Sequence, residues 1–179
     1  MPRYDIMLNL MPDHLLRLIA SAEAAFATFD AQYWALQRGE GKWTDLQLLG
    51  HLIDSAANNH QRFVRALAQP SLDWPGYDQM AHVMVQSYAG ADLSNCIVLW
   101  AAYNRHISHV IRQISPAKAQ TPCSIDGAPF MTLSDLAFDY VAHLEHHLKQ
   151  LLPGQLIEYS GMPWPPDDPN RQWLVQGQD

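Results

Sequence analysis

Four stretches of the chain repeat apolar side chains at spacings of three and four, and that periodicity restricts the fold to packed helices. The first runs over about residues 13–37, with Leu15, Leu18, Ile19, Ala22, Phe26, Phe29, Tyr33 and Leu36 on one face. Pro12 sits near its expected start, where a missing N–H costs little, and Gly39 and Gly41 are expected to end it. The second covers about residues 44–68, with Thr44 as N-cap, Gln47 as its capping-box partner and Pro70 beyond the end. The third covers 92–114 and stops at Pro116. The fourth starts near Thr132, with Asp135 as the reciprocal cap, and runs to Leu152 before Pro153-Gly154.

Between the second and third stretches, residues 70–91 carry Pro70, Pro75, Gly76 and Gly90, so they form a connection with at most one short helix at about 79–87. Residues 121–129 contain Gly127 and read as a loop or a short extended pair. The pattern predicts an all-α four-helix bundle, with 70–91 long enough for a crossover. The expected core spans about 11–154, and an irregular tail rich in Pro, Trp and Gly follows over 155–179. One domain over 1–179 suits a chain of this length, and 48% apolar residues argue against disorder.

Composition narrows function mainly by exclusion. A formal charge of −7 opposes a nucleic-acid surface, which needs a basic face, and matches anionic membranes poorly. Cys96 and Cys123 make no disulfide framework and fit a reducing compartment. No signal-peptide pattern and no apolar run long enough for a bilayer is visible, so a cytoplasmic protein is expected, with a homodimer as the default assembly.

Nine histidines are the compositional oddity, and their angular positions sort them. With His143 at zero, His147 falls about 40° away, Leu136 about 20°, Tyr140 about 60° and Leu144 about 100°. Both histidines therefore share the core-facing side, one turn apart, as in metal-binding His-x-x-x-His helices. His146 falls beside Asp139 and Gln150 on the wetter side, and Glu145 also points off the core side. On the second helix, His51 borders the stripe of Leu48, Leu52, Ala56 and Phe63. Its own side continues as Ser55, Asn58 and Arg62, with Asp54 close by. That polar ladder either orients ligands and meets a substrate or is a solvated helix edge. His109 faces away from its apolar stripe, His106 lies at an edge, His14 begins a helix, His60 lies away from the His51 side, and His82 is in the connection. An i,i+4 histidine pair alone does not establish a metal site, because buried histidines with hydrogen-bond partners give the same pattern.

Several segments together resemble the DinB-like superfamily, and most closely its YfiT-like branch. They are Gly41-Lys42-Trp43-Thr44, Leu49-Gly50-His51-Leu52-Ile53-Asp54-Ser55 with Asn58 and Arg62-Phe63, Pro75-Gly76-Tyr77-Asp78-Gln79, Gly127 through Thr132-Leu133, and Tyr140-Val141-Ala142-His143-Leu144-Glu145-His146-His147. The resemblance covers about residues 40–155. That branch is described as metal-dependent hydrolases and includes bacillithiol S-transferases, and a mycothiol-dependent maleylpyruvate isomerase is a further relative. The resemblance implies a four-helix bundle with three histidine ligands on a divalent metal, at positions matching His51, His143 and His147. Leu148-Lys149 replaces the arginine or glycine usual after the double histidine, and the chain from Leu156 onward has no counterpart in the family pattern.

Three imidazoles leave a zinc or nickel ion with open positions. The expected function is a divalent-metal-dependent enzyme acting on a small molecule, through S-transfer from a low-molecular-weight thiol cosubstrate or through hydrolysis. The alternative is a non-catalytic metal-binding stress-response bundle, in which the ion ties helices together.

Overall fold

The computed structural model describes residues 3–155, so residues 156–179 of the expected tail lie outside the described residues. The order of elements is α1 (Arg3–Phe26), α2 (Ala31–Trp34), α3 (Asp45–Ala68), β1 (Leu72–Trp74), α4 (Gln79–Val85), α5 (Leu93–Ile111), α6 (Pro116–Ala119), β2 (Pro122–Ile125), β3 (Met131–Thr132) and α7 (Leu133–Leu151). The long helices α1, α3, α5 and α7 form the bundle. No helix among the described residues is long and apolar enough to cross a membrane.

The capping signals set the starts of α3 and α7 as the sequence predicts. Thr44 Oγ1 accepts from Gln47 N at 3.2 Å, and Gln47 Oε1 accepts from Thr44 N at 2.9 Å. Thr132 and Asp135 make the same reciprocal pair, each bond at 3.1 Å. Both boxes satisfy N–H groups that a helix start leaves orphaned.

The first helix departs from expectation at both ends. It begins at Arg3 and holds Pro12 in its interior. The apolar stripe explains this: Leu8, Met11 and Leu15 continue one buried face through the proline. Pro12 contributes no N–H to the ladder, and its carbonyl accepts from Ser108 Oγ on α5 at 3.0 Å. The helix stops at Phe26, well before Gly39. Asp30 then caps the separate turn α2 by accepting from Tyr33 N at 2.9 Å. Phe29 stacks on Tyr33 at 3.8 Å between ring centres, so these two keep apolar packing outside α1, while Leu36 is exposed.

In the bundle, α3 packs on α5 and α7, and α1 packs on the same two. The 70–91 connection therefore joins neighbouring helices, and the chain crosses the bundle diagonal between α1 and α3 and again between α5 and α7. A small sheet of order β1-β2-β3 accompanies the second crossing, with β1 parallel to β2 and β2 antiparallel to β3. It fastens the segment after α3 to the segment before α7, and Leu133 N bonds Thr121 O at 2.9 Å where α7 departs. Phe63 meets the Tyr140 ring at 5.7 Å while His51 meets His147 at 5.1 Å, so α3 and α7 run antiparallel.

His14 does not begin a helix. It is buried within α1 at 1% exposure, and its Nε2 pairs with Glu145 Oε2 on α7 at 3.4 Å. Glu145 also meets Lys149 Nζ at 3.0 Å. Its carboxyl is held below the usual glutamate range, first by the His14 hydrogen bond and then by Lys149 acting against burial. A depressed folded pKa gives stability that is complete above the unfolded value and is lost as pH falls through the folded one. Glu145→Gln is expected to lower the urea midpoint at pH 7 and to flatten its decline below about pH 4.3. Urea titrations from pH 3 to 7 check both.

Candidate metal centre

His51 lies in the first turns of α3, on a face that packs against the last turns of α7. His143 and His147 project from those turns toward it. The Nε2 atoms of His51 and His143 are 3.3 Å apart, and those of His143 and His147 are 3.1 Å apart. Among the described residues, these three form the group whose ligand atoms lie mutually within 4.8 Å. His51 and His147 are 0% and 2% exposed, and His143 is half-buried, so the cluster opens on one side.

The donor set fits a divalent ion. Three imidazole nitrogens at about 2.0–2.1 Å from one ion sit about 3.3 Å apart at tetrahedral angles, which matches the two Nε2 separations. The protonation states fit as well. Burial, followed by the charge of His147, pushes the His51 imidazolium down to about 3. His143 is held well below its ordinary value, first by burial and then by the neighbouring imidazoles and Arg62. Neutral rings keep the lone pairs that a metal needs.

Two contacts orient the rings. His147 Nδ1–H donates to Gln150 Oε1 at 2.8 Å, which leaves its Nε2 lone pair facing the cluster. The Gln150 Nε2 donates in turn to exposed His146 Nε2 at 3.1 Å. The Trp43 ring lies 5.1 Å from the His51 ring at a 35° tilt and covers it. His146 is on the wetter side, as its angle predicts.

The polar ladder of α3 divides into separate roles. Asp54 is 5% exposed and faces the α4–α5 connection rather than water. Its Oδ1 accepts from Gln86 Nε2 at 2.7 Å and from Tyr88 OH at 2.9 Å, and its Oδ2 is buried without a hydrogen-bond partner. Burial and Asp54 together raise Tyr88, so its hydroxyl stays a donor. Ser55 is buried and accepts from Asn59 Nδ2 at its carbonyl at 3.0 Å. Asn58 is half-buried and bonds Asp54 O at 2.9 Å. Arg62 is half-buried and bonds Asn59 Oδ1 at 3.3 Å, with Nε buried and unpartnered. Glu145 points inward to His14, contrary to the angular expectation, because α1 covers that side of α7.

The sequence reading missed Trp43 and Gln150 as neighbours of the centre, and Gln86 and Tyr88 as partners of Asp54. For Gln150 a signal existed: it stands one position short of one full turn after His147 on the same helix. His60, His106 and His109 make a separate row, with rings 5.0 and 6.1 Å apart, and join no three-ligand group.

These features define a helical bundle with a three-histidine cluster opening at one end. The family model for the DinB superfamily matches residues 14–151, and the chain belongs to that superfamily. Its fold is similar to that of YfiT from Bacillus subtilis, with a TM-score of 0.69 and 22% identity over 83% of each chain. YfiT is described as "a probable metal-dependent hydrolase with an unusual four-helix bundle topology". No curated protein matches the chain in sequence.

Gly50 shows how tightly the Asp54 contact is set. A Cβ there would come within 2.2 Å of the Tyr88 ring. Gly50→Ala is expected to push Tyr88 off Asp54 and destabilise the protein by about 1–3 kcal/mol. Thermal unfolding should show a loss of about 2–4 °C per kcal/mol.

Proposed function

We propose that the chain is a divalent-metal-dependent enzyme whose ion, zinc or nickel, is held by His51, His143 and His147. The observation that carries this reading is the convergence of three imidazole Nε2 atoms from two helices at separations suited to one ion. Superfamily membership and the YfiT-like fold support it. The reaction we favour is S-transfer from a low-molecular-weight thiol to a small electrophile, ahead of hydrolysis. A three-ligand group leaves open positions, which favours catalysis over a purely structural ion.

An ion held there supplies Lewis acidity, enough to make a thiol or water nucleophilic near neutral pH. The chain's own residues do the rest. Gln150 fixes the tautomer of His147, and Trp43 shields His51 from water. Glu145 is committed to His14 and Lys149, so it is no general base. Tyr88 and Gln86 hold Asp54 toward the α4–α5 connection through Oδ1.

Metal analysis of untagged protein is expected to find one equivalent of zinc or nickel, and His147→Ala is expected to lose it. Metal at one hundred times its Kd contributes about 2.7 kcal/mol, so a chelator should lower the melting temperature by roughly 5–10 °C. Protein without bound metal, or with an unchanged melting temperature, overturns the assignment. Gln150→Ala is expected to weaken metal affinity about 10- to 100-fold, measured by competition with a chromogenic chelator. Metal-loaded protein should conjugate a thiol to an electrophile faster than it cleaves esters. Absence of both activities overturns the enzyme reading.

A further inference from the structure

Away from the three-histidine centre, α3 meets α5 through a second group of imidazoles. His60 stands nine residues after His51 on α3. Nine residues turn a helix through about 900°, so the two side chains leave α3 on opposite faces, about 14 Å apart along its axis. His51 faces α7, and His60 faces α5, where its ring centre lies 5.0 Å from that of His106 with the planes at 63°. The three-histidine cluster gives a scale for rings that converge on one point. Its ring centres are 5.2, 5.1 and 4.5 Å apart, with the planes at 72°, 83° and 80°. The His60–His106 pair falls within that range of distance and close to it in angle. His109 does not, because its ring lies 6.1 Å from His106 and nearly parallel to it, at 23°.

The pair is open to an ion arriving from solvent. His106 is exposed and His60 is half-buried. The His60 Nδ1 is buried, whereas its Nε2 is neither buried nor hydrogen-bonded, so Nε2 is the nitrogen that solvent reaches. Among the described residues, no carboxylate pairs with either ring. Burial, and then His106, lowers His60, so its ring is uncharged near neutral pH and keeps a lone pair. The Tyr103 ring meets His60 edge-on at 5.6 Å and 73° and supports its plane. Two imidazoles already held together by helix packing pay little ordering entropy to grip one ion. Imidazole suits zinc, nickel and copper, while magnesium and calcium prefer oxygen.

We infer that His60 and His106 form a second cation site, a two-imidazole clamp across α3 and α5 for a divalent ion of the zinc, nickel and copper group. Water fills the remaining positions of the ion. The site is separate from the three-histidine centre and goes beyond the function proposed for it. With two protein ligands against three, it holds its ion more weakly and fills second. An ion there ties α3 to α5 and stabilises the fold as its concentration rises. The competing view is an edge-to-face ring contact that takes no ligand.

Zn²⁺ is the probe. Untagged wild type loaded with one equivalent is titrated with more Zn²⁺ by calorimetry, and the imidazole nitrogens are followed by NMR. A second, weaker equivalent is expected to move the ring nitrogens of His60 and His106 and to leave those of His109 in place. His106→Gln is expected to weaken that equivalent at least tenfold, and His109→Gln to leave it within twofold. His106 is exposed, so its replacement spares the fold. The double variant His143→Ala/His147→Ala leaves His51 alone in the centre. It is expected to bind a single equivalent that adding His106→Gln removes, whether or not the three-histidine assignment holds. If the double variant fails to fold, preloaded wild type against preloaded His106→Gln decides the matter. The absence of any equivalent that depends on His106 overturns the proposal, and so does equal weakening by His109→Gln.

Discussion

The antiparallel register between α3 and α7 is the constraint on which the centre depends. Two histidines one turn apart on α7 are aligned by the helix itself, but the third ring comes from a residue distant in sequence. It arrives only because Phe63 packs on Tyr140 at one end of the contact while His51 reaches His147 at the other. The sheet strengthens the same register, since β1 and β2 join the chain just after α3 to the chain just before α7. A shift of one turn along either helix, about 5.4 Å, would exceed the separation of the imidazole nitrogens.

Burying several polar groups near one another is tolerated here because most have assigned partners. Asp54 takes two donors from the α4–α5 connection, Tyr140 OH donates to Asn104 Oδ1 at 2.6 Å, and His14 meets Glu145. Each contact joins elements far apart in the chain, so these bonds specify the arrangement of the helices as well as satisfying polar atoms. His51 and His143 meet burial differently: they remain uncharged, which removes the desolvation cost of an ion and keeps their lone pairs available.

What was legible in the sequence follows from range. Thr44 with Gln47, Thr132 with Asp135, and the i,i+4 histidines are local patterns, and the helix geometry alone decides them. His51 was legible as a partner for the pair through the family resemblance, because its angle on α3 says only that it borders the core. The start of α1 was misread because Pro12 was weighed as a boundary while Leu8 and Met11 already continued the buried stripe. Glu145 was misjudged because a helical wheel measures a residue against its own helix. Only the packing of α1 shows that its side of α7 is covered. Trp43 reaches His51 and Tyr88 reaches Asp54 from connections, whose paths no periodicity encodes.

Helix ends are where backbone hydrogen bonds open most readily. His51 stands within two turns of such an end, and the reciprocal cap between Thr44 and Gln47 closes it. A hydroxyl and an amide at the bundle's rim therefore act as a latch on a ring they never touch. Fraying through those two turns would release one imidazole while leaving the other two in place, so the readiness of the cluster is governed from its threshold.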